Sequence, residues 1–274
     1  MRVGLLHPGE MGVFIGSAVA AAGHEVHWAS EGRSEETRAR AGAFTDVRTV
    51  QALVTGVEAI ISVCPPDRAV EVAESVAAGG FTGLYVDANA VSPGTVGHVA
   101  GLLPGARVVD AGIIGGPSTS DAVLYLAGPD VGDAAMLFDA GVVRVVELSG
   151  PAGSASALKA CYAASSKAVS AALLATRAAA RAAGVEDALV AEWRRTQPGV
   201  AERTDDVLAR VHRKAWRFAG EMLEAAEFFD TYGVPSGFSR AAAETYERLA
   251  DLKDRPDDVA PDEVLDRVAP PQTS

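Results

Sequence analysis

From Ser154 to Ala183 the chain contains neither glycine nor proline and is dominated by alanine, the strongest helix former. Such a run is committed to helix, and at about 1.5 Å per residue it extends roughly 45 Å, longer than an ordinary globular helix. Lys159, Lys167, Arg177 and Arg181 interrupt it too often for a membrane span. Gly184 stops it. Further helical stretches are predicted over Asp187–Thr196, Val200–Asp230 and Ser239–Leu252, punctuated by Pro198, Gly233 and Pro235. The tail from Asp254 is acidic and Pro-rich, and Ala269–Ser274 are expected to fray.

The preceding part has a different pattern. Short runs rich in β-branched residues, bounded by Gly, Pro, Asp or Asn, predict strands at Val3–Leu6, Glu25–Trp28, Ala59–Cys64, Leu84–Val86, Arg107–Val109, Ala122–Ala127 and Val142–Glu147. Val13–Ala22, Glu35–Ala41 and Asp67–Ala78 have helical composition between the early ones. This alternation predicts an α/β domain with a parallel, doubly wound Rossmann-type sheet. The boundary falls near Gly150–Gly153, giving domains 1–152 and 153–274 joined by a long interdomain helix.

With 49% apolar and 22% charged residues, the 274-residue chain can bury a core in each domain. A formal net charge of -12 argues against nucleic acid or an anionic membrane as partner, because both reward clustered Lys and Arg. Cys64 and Cys161 fit neither a disulfide framework nor a metal spacing, so no metal is expected and each reads as a small core residue. Met1 leads directly into an apolar strand without the layout of a signal peptide, which predicts a cytoplasmic protein.

The first strand runs into His7-Pro8-Gly9-Glu10-Met11-Gly12, a GxGxxG dinucleotide loop whose first glycine is replaced by His7. Gly9 keeps the role of letting backbone approach a pyrophosphate, and Gly12 that of close helix–strand packing. The helix N-terminus supplies the anion site, Pro8 stiffens the turn and Met11 packs. At the end of the second strand an NAD enzyme places Asp or Glu to hold the ribose. Here Ala29 and Ser30 leave that position without an acid, while Arg33 and Ser34 can donate to a 2′-phosphate, so NADP(H) is the expected cofactor. Two alternatives stand beside this: a shifted turn would bring Glu31 to the ribose, or the segment is a solvated charged loop. His7, His24 and His27 read as structural.

Three further segments complete a pattern: Val63-Cys64-Pro65-Pro66, Asp87-Ala88-Asn89-Ala90-Val91-Ser92-Pro93 and Asp110-Ala111-Gly112-Ile113-Ile114-Gly115-Gly116-Pro117. Together with the first loop and Gly153-Ser154-Ala155-Ser156-Ala157-Leu158-Lys159, their order resembles the β-hydroxyacid dehydrogenase and 6-phosphogluconate dehydrogenase superfamily. Within it, the likeness is strongest to a bacterial branch known by a phosphogluconate-dehydrogenase-like C-terminal domain. The resemblance covers nearly the whole chain and implies a nicotinamide-dependent oxidoreductase acting on CH–OH groups. It implies cofactor contacts from Cys64, Pro65 and Pro66, and places Asn89 near the nicotinamide as both a cofactor-binding and a catalytic candidate. Ile114, Gly115 and Gly116 occupy the substrate-binding Ser-Gly-Gly, with the hydroxyl lost. Lys159 occupies the catalytic lysine, and Ala163 stands where the family has Asn. Loss of these two polar contacts implies either a substrate less polar than a small hydroxyacid or a hydroxyacid-like one held through fewer hydrogen bonds.

Lysine suits this role because its ammonium can hydrogen-bond a carbonyl oxygen and then release the proton. Tyr162 and Ser166, three and seven positions on, lie near the same helical face and are candidates to orient Lys159 or touch substrate. Lys167 reads as solvated or paired. His212 to Glu224 sets Trp216, Phe218, Met222 and Leu223 against Arg217, Glu221 and Glu224. That is either an amphipathic core helix with its charges outside or a lining for the substrate pocket. The resemblance implies a homodimer formed through the helical domain. Two other functions stay open: imine reduction on the same scaffold, and NADP(H) binding without turnover.

Overall fold

The computed structural model describes residues 1–116, 122–255 and 259–269. Pro117 of the glycine motif and residues 270–274 of the tail lie outside the described residues. The chain divides into two compact units, Met1–Ala160 and Cys161–Ser274.

The first unit holds strands β1 (Arg2–Leu6), β2 (Glu25–Trp28), β3 (Thr45–Asp46), β4 (Ala59–Ser62), β5 (Leu84–Asp87), β6 (Arg107–Ile114), β7 (Val123–Ala127) and β8 (Arg144–Glu147). Its helices are α1 (Glu10–Ala21), α2 (Glu35–Arg40), α3 (Val50–Gly56), α4 (Ala69–Ala78), α5 (Pro93–Leu102), α6 (Val131–Ala135) and the start of α7 (Ser154–Ala163). The sheet order is β3-β2-β1-β4-β5-β6-β7-β8. All pairings are parallel except β6 with β7. The sheet is therefore the expected Rossmann-type one, extended by two strands, β7 and β8, that run opposite to the other six. Alternate residues serve opposite faces. Ile61 and Val86 join Ile15, Ala18 and Val19 of α1 in one core, while Ile60 and Tyr85 join Leu53, Val54, Val72 and Val76 of α3 and α4 in another.

Strand β6 continues to Ile114, past the end expected at Val109, because Asp110 and Gly112 read locally as breakers but are held by α7. The Asp110 carboxylate is wholly buried and accepts bonds from the Gly153 and Ser156 N–H groups, each at 2.9 Å, and from the Ser156 hydroxyl at 2.6 Å. It thus satisfies donors at the N-terminal end of α7 that the helix leaves unpaired. Gly112 lets the two elements approach: a Cβ there would lie 2.7 Å from the Ala155 carbonyl oxygen.

The second unit contains the rest of the long helix, α8 (Val169–Ala182), then α9 (Glu186–Thr196), α10 (Val200–Leu208), α11 (Ala215–Thr231), α12 (Gly237–Glu247) and α13 (Pro261–Val268). Two expectations need correction. The helix predicted as continuous over Val200–Asp230 breaks at a 3-10 turn, Val211–Arg213, although no Gly or Pro marks the place. Packing of α10 on α8 and of α11 on α12 overrides local propensity. The helix predicted to run regularly from Ser154 contains a π-helical segment, Ala164–Ala168. There the Ser165 and Ser166 hydroxyls both donate to the Tyr162 carbonyl, at 2.9 and 2.8 Å, in competition with the helical ladder. The wide turn shifts the helical phase of the residues that follow it.

Nor are the charges of α11 all outside. Glu221 is buried, bonded to Lys167 and 3.2 Å from Arg217. Phe218 lies beneath the Lys167 ammonium, 5.0 Å from the ring centre. Cys64 is half-buried, whereas Cys161 is exposed rather than a core residue. Among the described residues, no helix is long and apolar enough to cross a membrane.

The 2.7 Å approach at Gly112 makes Gly112→Ala a test of how α7 is seated. The added methyl is expected to cost about 1–3 kcal/mol in denaturant unfolding. A variant as stable as the parent would contradict the described contact.

Candidate functional site

The carboxyl ends of β2, β1, β4, β5 and β6 lie side by side along one edge of the sheet. In doubly wound sheets that edge is where ligands bind. After β1 the chain turns at His7, whose φ of 64° is in the left-handed region that explains the glycine usual at this position. Pro8 is buried, and Gly9 caps α1 without any side-chain bond to its first N–H groups. Nothing lies within 4 Å of where a Gly9 Cβ would be, so the helix N-terminus borders open space. Gly12 is the opposite case: its Cβ would sit 2.4 Å from the His7 carbonyl oxygen, so only glycine fits. Glu10 is exposed, and Met11 packs against the core as expected.

The loop after β2 begins with Ser30, buried and hydrogen-bonded to Asp46. Glu31 is exposed, and its N–H donates to the Arg48 carbonyl. Ser34 caps α2, its hydroxyl oxygen accepting from the Thr37 N–H at 3.3 Å. Arg33 is half-buried with Nε unpartnered, and burial followed by the charge of Arg68 lowers its pKa from the ordinary value. Arg68 stands on a 3-10 turn, Pro66–Arg68, and pairs with Glu71 at 2.6 Å. Burial first, then Arg33 and Arg68, lower the His7 imidazole to about 4, and its buried Nδ1 has no partner. Three basic side chains from three neighbouring strand ends thus act on one another. Arg68 was not among the residues expected here. In sequence it reads as one more solvated charge at a helix start.

Beyond β4, the Cys64 N–H donates to Asn89 Oδ1 at 2.6 Å, and Asn89 Nδ2 donates to the Ser62 hydroxyl at 3.1 Å. Asn89 is buried, and its own N–H donates to Asp87. Its side chain therefore holds the Cys64-Pro65-Pro66 loop. The rest of the Asp87-to-Pro93 motif is helix initiation: Ser92 caps α5 and Pro93 opens it. Burial, then Asp87, push the Cys64 thiol up to about 12, so it is no nucleophile near neutrality.

At the end of β6, Ile114 passes into Gly115, with φ of 93°, and Gly116, where a Cβ would meet nothing within 4 Å. Lys159, half-buried on α7, donates from Nζ to the Ile113 carbonyl. The same strand end thus brings together Lys159, Ile114, Gly115 and Gly116. Tyr162 and Ser166 belong to the second unit. Tyr162 is half-exposed, and the Ser166 hydroxyl is bonded to helix carbonyls. Asp110, which anchors this helix, was quoted in a motif but given no role, since its partners lie more than forty residues away.

The model of a domain of unknown function, DUF1932, matches residues 180–249. No curated protein sequence matches the chain. Among solved structures, the conserved protein MTH1747, described as of unknown function with structural similarity to 3-hydroxyacid dehydrogenases, is 25% identical. That match covers 93% of this chain and 99% of the other, with a TM-score of 0.67. A 3-hydroxyisobutyrate dehydrogenase of Mycobacterium tuberculosis, with L-serine, is 16% identical over 98% of this chain and 99% of its own, with a TM-score of 0.72. A reductive aminase from Aspergillus terreus, in complex with NADPH4, cyclohexanone and allyl amine, is 18% identical over 97% and 98%, with a TM-score of 0.54. Imine reductases from Streptomyces aurantiacus and Bacillus cereus are also structural neighbours. The chain shares its fold with 3-hydroxyacid dehydrogenases and imine reductases.

The His7 environment predicts a pH dependence. Its folded pKa, about 4, is below the ordinary 6.5, so between these values the folded state binds fewer protons than the unfolded one. This stabilising contribution is complete above pH 6.5 and is lost as pH falls toward 4. In His7→Asn, which tolerates positive φ, urea unfolding is expected to lose less stability between pH 7 and 5. An unchanged pH slope would rule the assignment out.

Proposed function

We propose that this chain is an NADP(H)-dependent oxidoreductase that interconverts a secondary alcohol and a ketone, with Lys159 as general acid/base. The observation that carries this reading is Lys159, tethered through Nζ to the Ile113 carbonyl at the sheet edge that also bears the nucleotide-type loop. A lysine ammonium has three donors, so donation to a main-chain carbonyl is compatible with donation to a substrate oxygen. In reduction, Lys159 would hold a proton against the carbonyl oxygen and release it as the alcohol forms; in oxidation it would take that proton back. The nicotinamide, when bound, would supply or accept the hydride.

The residues present fit such a cofactor. Open space beside Gly9 and the uncapped start of α1 suit a pyrophosphate, and the unpartnered Arg33 Nε suits a 2′-phosphate. Asn89 is a positioning residue for the Cys64-Pro65-Pro66 loop. Ile114, Gly115 and Gly116 would face substrate, with Ile114 favouring a group less polar than a hydroxyacid carboxylate. The first unit is then the nucleotide domain and the second the substrate and dimerisation domain. Trp216, Leu223, Tyr232 and Phe238, all exposed, support pairing of the helical units. The runner-up is imine reduction, favoured by the half-exposed Tyr162 and by the reductive neighbours, with Lys159 counting against it.

Calorimetric titration of the protein with NADPH and with NADH is the primary test, and tighter NADPH binding is expected. Preferred NADH binding would move the ribose contact to Glu31, and binding of neither would remove the oxidoreductase reading. In an NADPH-linked screen of ketones, hydroxyacids and imines, Lys159→Met is expected to lose at least about a hundredfold in turnover with cofactor affinity intact. Equal loss of both would refute its catalytic role.

A further inference from the structure

We propose that Arg68 is the specificity-determining residue for a phosphorylated nucleotide: with Arg33 and His7 it forms the receptor for the 2′-phosphate of the adenosine ribose. This deepens, and rests on, the dinucleotide reading of the loop after β1.

The argument starts from topology. Strands β2, β1 and β4 are adjacent and parallel, so the segments bearing Arg33, His7 and Arg68 leave the sheet at the same edge. The two arginines, at strand ends on either side of β1, repel one another, and each is felt by the His7 imidazole that follows β1. Glu71 pairs with Arg68, and its charge also reaches Arg33, where it is outweighed by burial and by Arg68. The other charged groups of these loops, Glu10, Glu31, Arg38 and Asp67, are exposed. Arg33 Nε and His7 Nδ1 are buried without partners. A buried donor lacking an acceptor, next to a like charge, is unfavourable unless something anionic completes it.

A phosphate dianion answers each of these features. It accepts from two guanidiniums in their preferred forked geometry and neutralises their repulsion. A neutral imidazole can add a donor without adding charge. The pyrophosphate has its own place at the start of α1 beside Gly9, and the loop after the second strand is where a ribose 2′-substituent is recognised. Arg68, roughly half-exposed, is accessible to such a ligand.

The test compares wild type, Arg68→Gln and Glu71→Gln by calorimetry with NADP+, NAD+, 2′,5′-ADP, 5′-AMP and inorganic phosphate. Thermal unfolding is measured without ligand. Arg68→Gln is expected to lose about tenfold or more in affinity for NADP+ and 2′,5′-ADP, the size of one charge-assisted contact. NAD+ and 5′-AMP binding should not change, and the free protein should melt at a higher temperature as the repulsion is relieved. Glu71→Gln should keep or strengthen NADP+ binding. Equal losses for NADP+ and NAD+ would overturn the proposal in favour of a pyrophosphate or adenine contact. Unchanged NADP+ binding would leave Arg68 as the ion-pair partner of Glu71 and overturn it also. Tight inorganic phosphate binding with no preference for 2′,5′-ADP over 5′-AMP would show a free-anion site instead. Wild type that binds neither dinucleotide would refute the underlying reading itself.

Discussion

The rest of the candidate site depends on the buried carboxylate of Asp110, which joins a strand to the start of a helix. Burial pushes this carboxyl above the usual range, against the pull of the Ser156 and Gly153 donors around it. A buried anion is tolerated only when its oxygens are answered, and here the unpaired donors of a helix N-terminus answer them. The joint fixes both the position and the direction of α7. One turn beyond Ser156, the lysine side chain reaches the main chain of the strand that Asp110 belongs to. Gly112 completes the joint by leaving room for the Ala155 carbonyl.

What could be read in the sequence was what is settled locally. The loop from His7 to Gly12 announces itself through turn chemistry, because a strand end, an open glycine and a helix start are adjacent in the chain. The strands of the parallel sheet are legible from runs of β-branched residues. The two-residue β3 is too short for any period to show, and α5 carries Gly97 and Gly101, which lower its helical signal. Asp110 was hidden because its partners arrive only once the sheet is assembled. Arg68 was hidden for a related reason: its meaning comes from Arg33 and His7, which neighbouring strands bring to it. The turn at Val211–Arg213 leaves no local trace, since Leu208, Val211, His212 and Ala215 keep a helical spacing across it.

The two units treat buried charge differently. In the helical unit, Glu221 is answered by Lys167 and Arg217, and Phe218 lies under the lysine. That arrangement is self-contained and specifies how α11 meets the long helix. At the nucleotide-type edge, Arg33 Nε and His7 Nδ1 are instead buried without partners, beside an Arg68 that Glu71 pairs. Local rules of hydrogen bonding and charge pairing are broken there, which is where a functional site is expected to break them.

The π-helical segment bears on how positions in this chain are matched to those of other proteins. One extra residue in a helical turn rotates everything after it by roughly 100° relative to an uninterrupted helix. Between Ala164 and Ala168, counting along the sequence and counting around the helix part company. Through Ala163 the helix is regular and the two counts agree, but beyond Ala164 an ungapped alignment to a regular helix assigns side chains to the wrong side. A partner lacking this turn should be aligned with a one-residue gap, and only then do the same numbers denote the same direction in space.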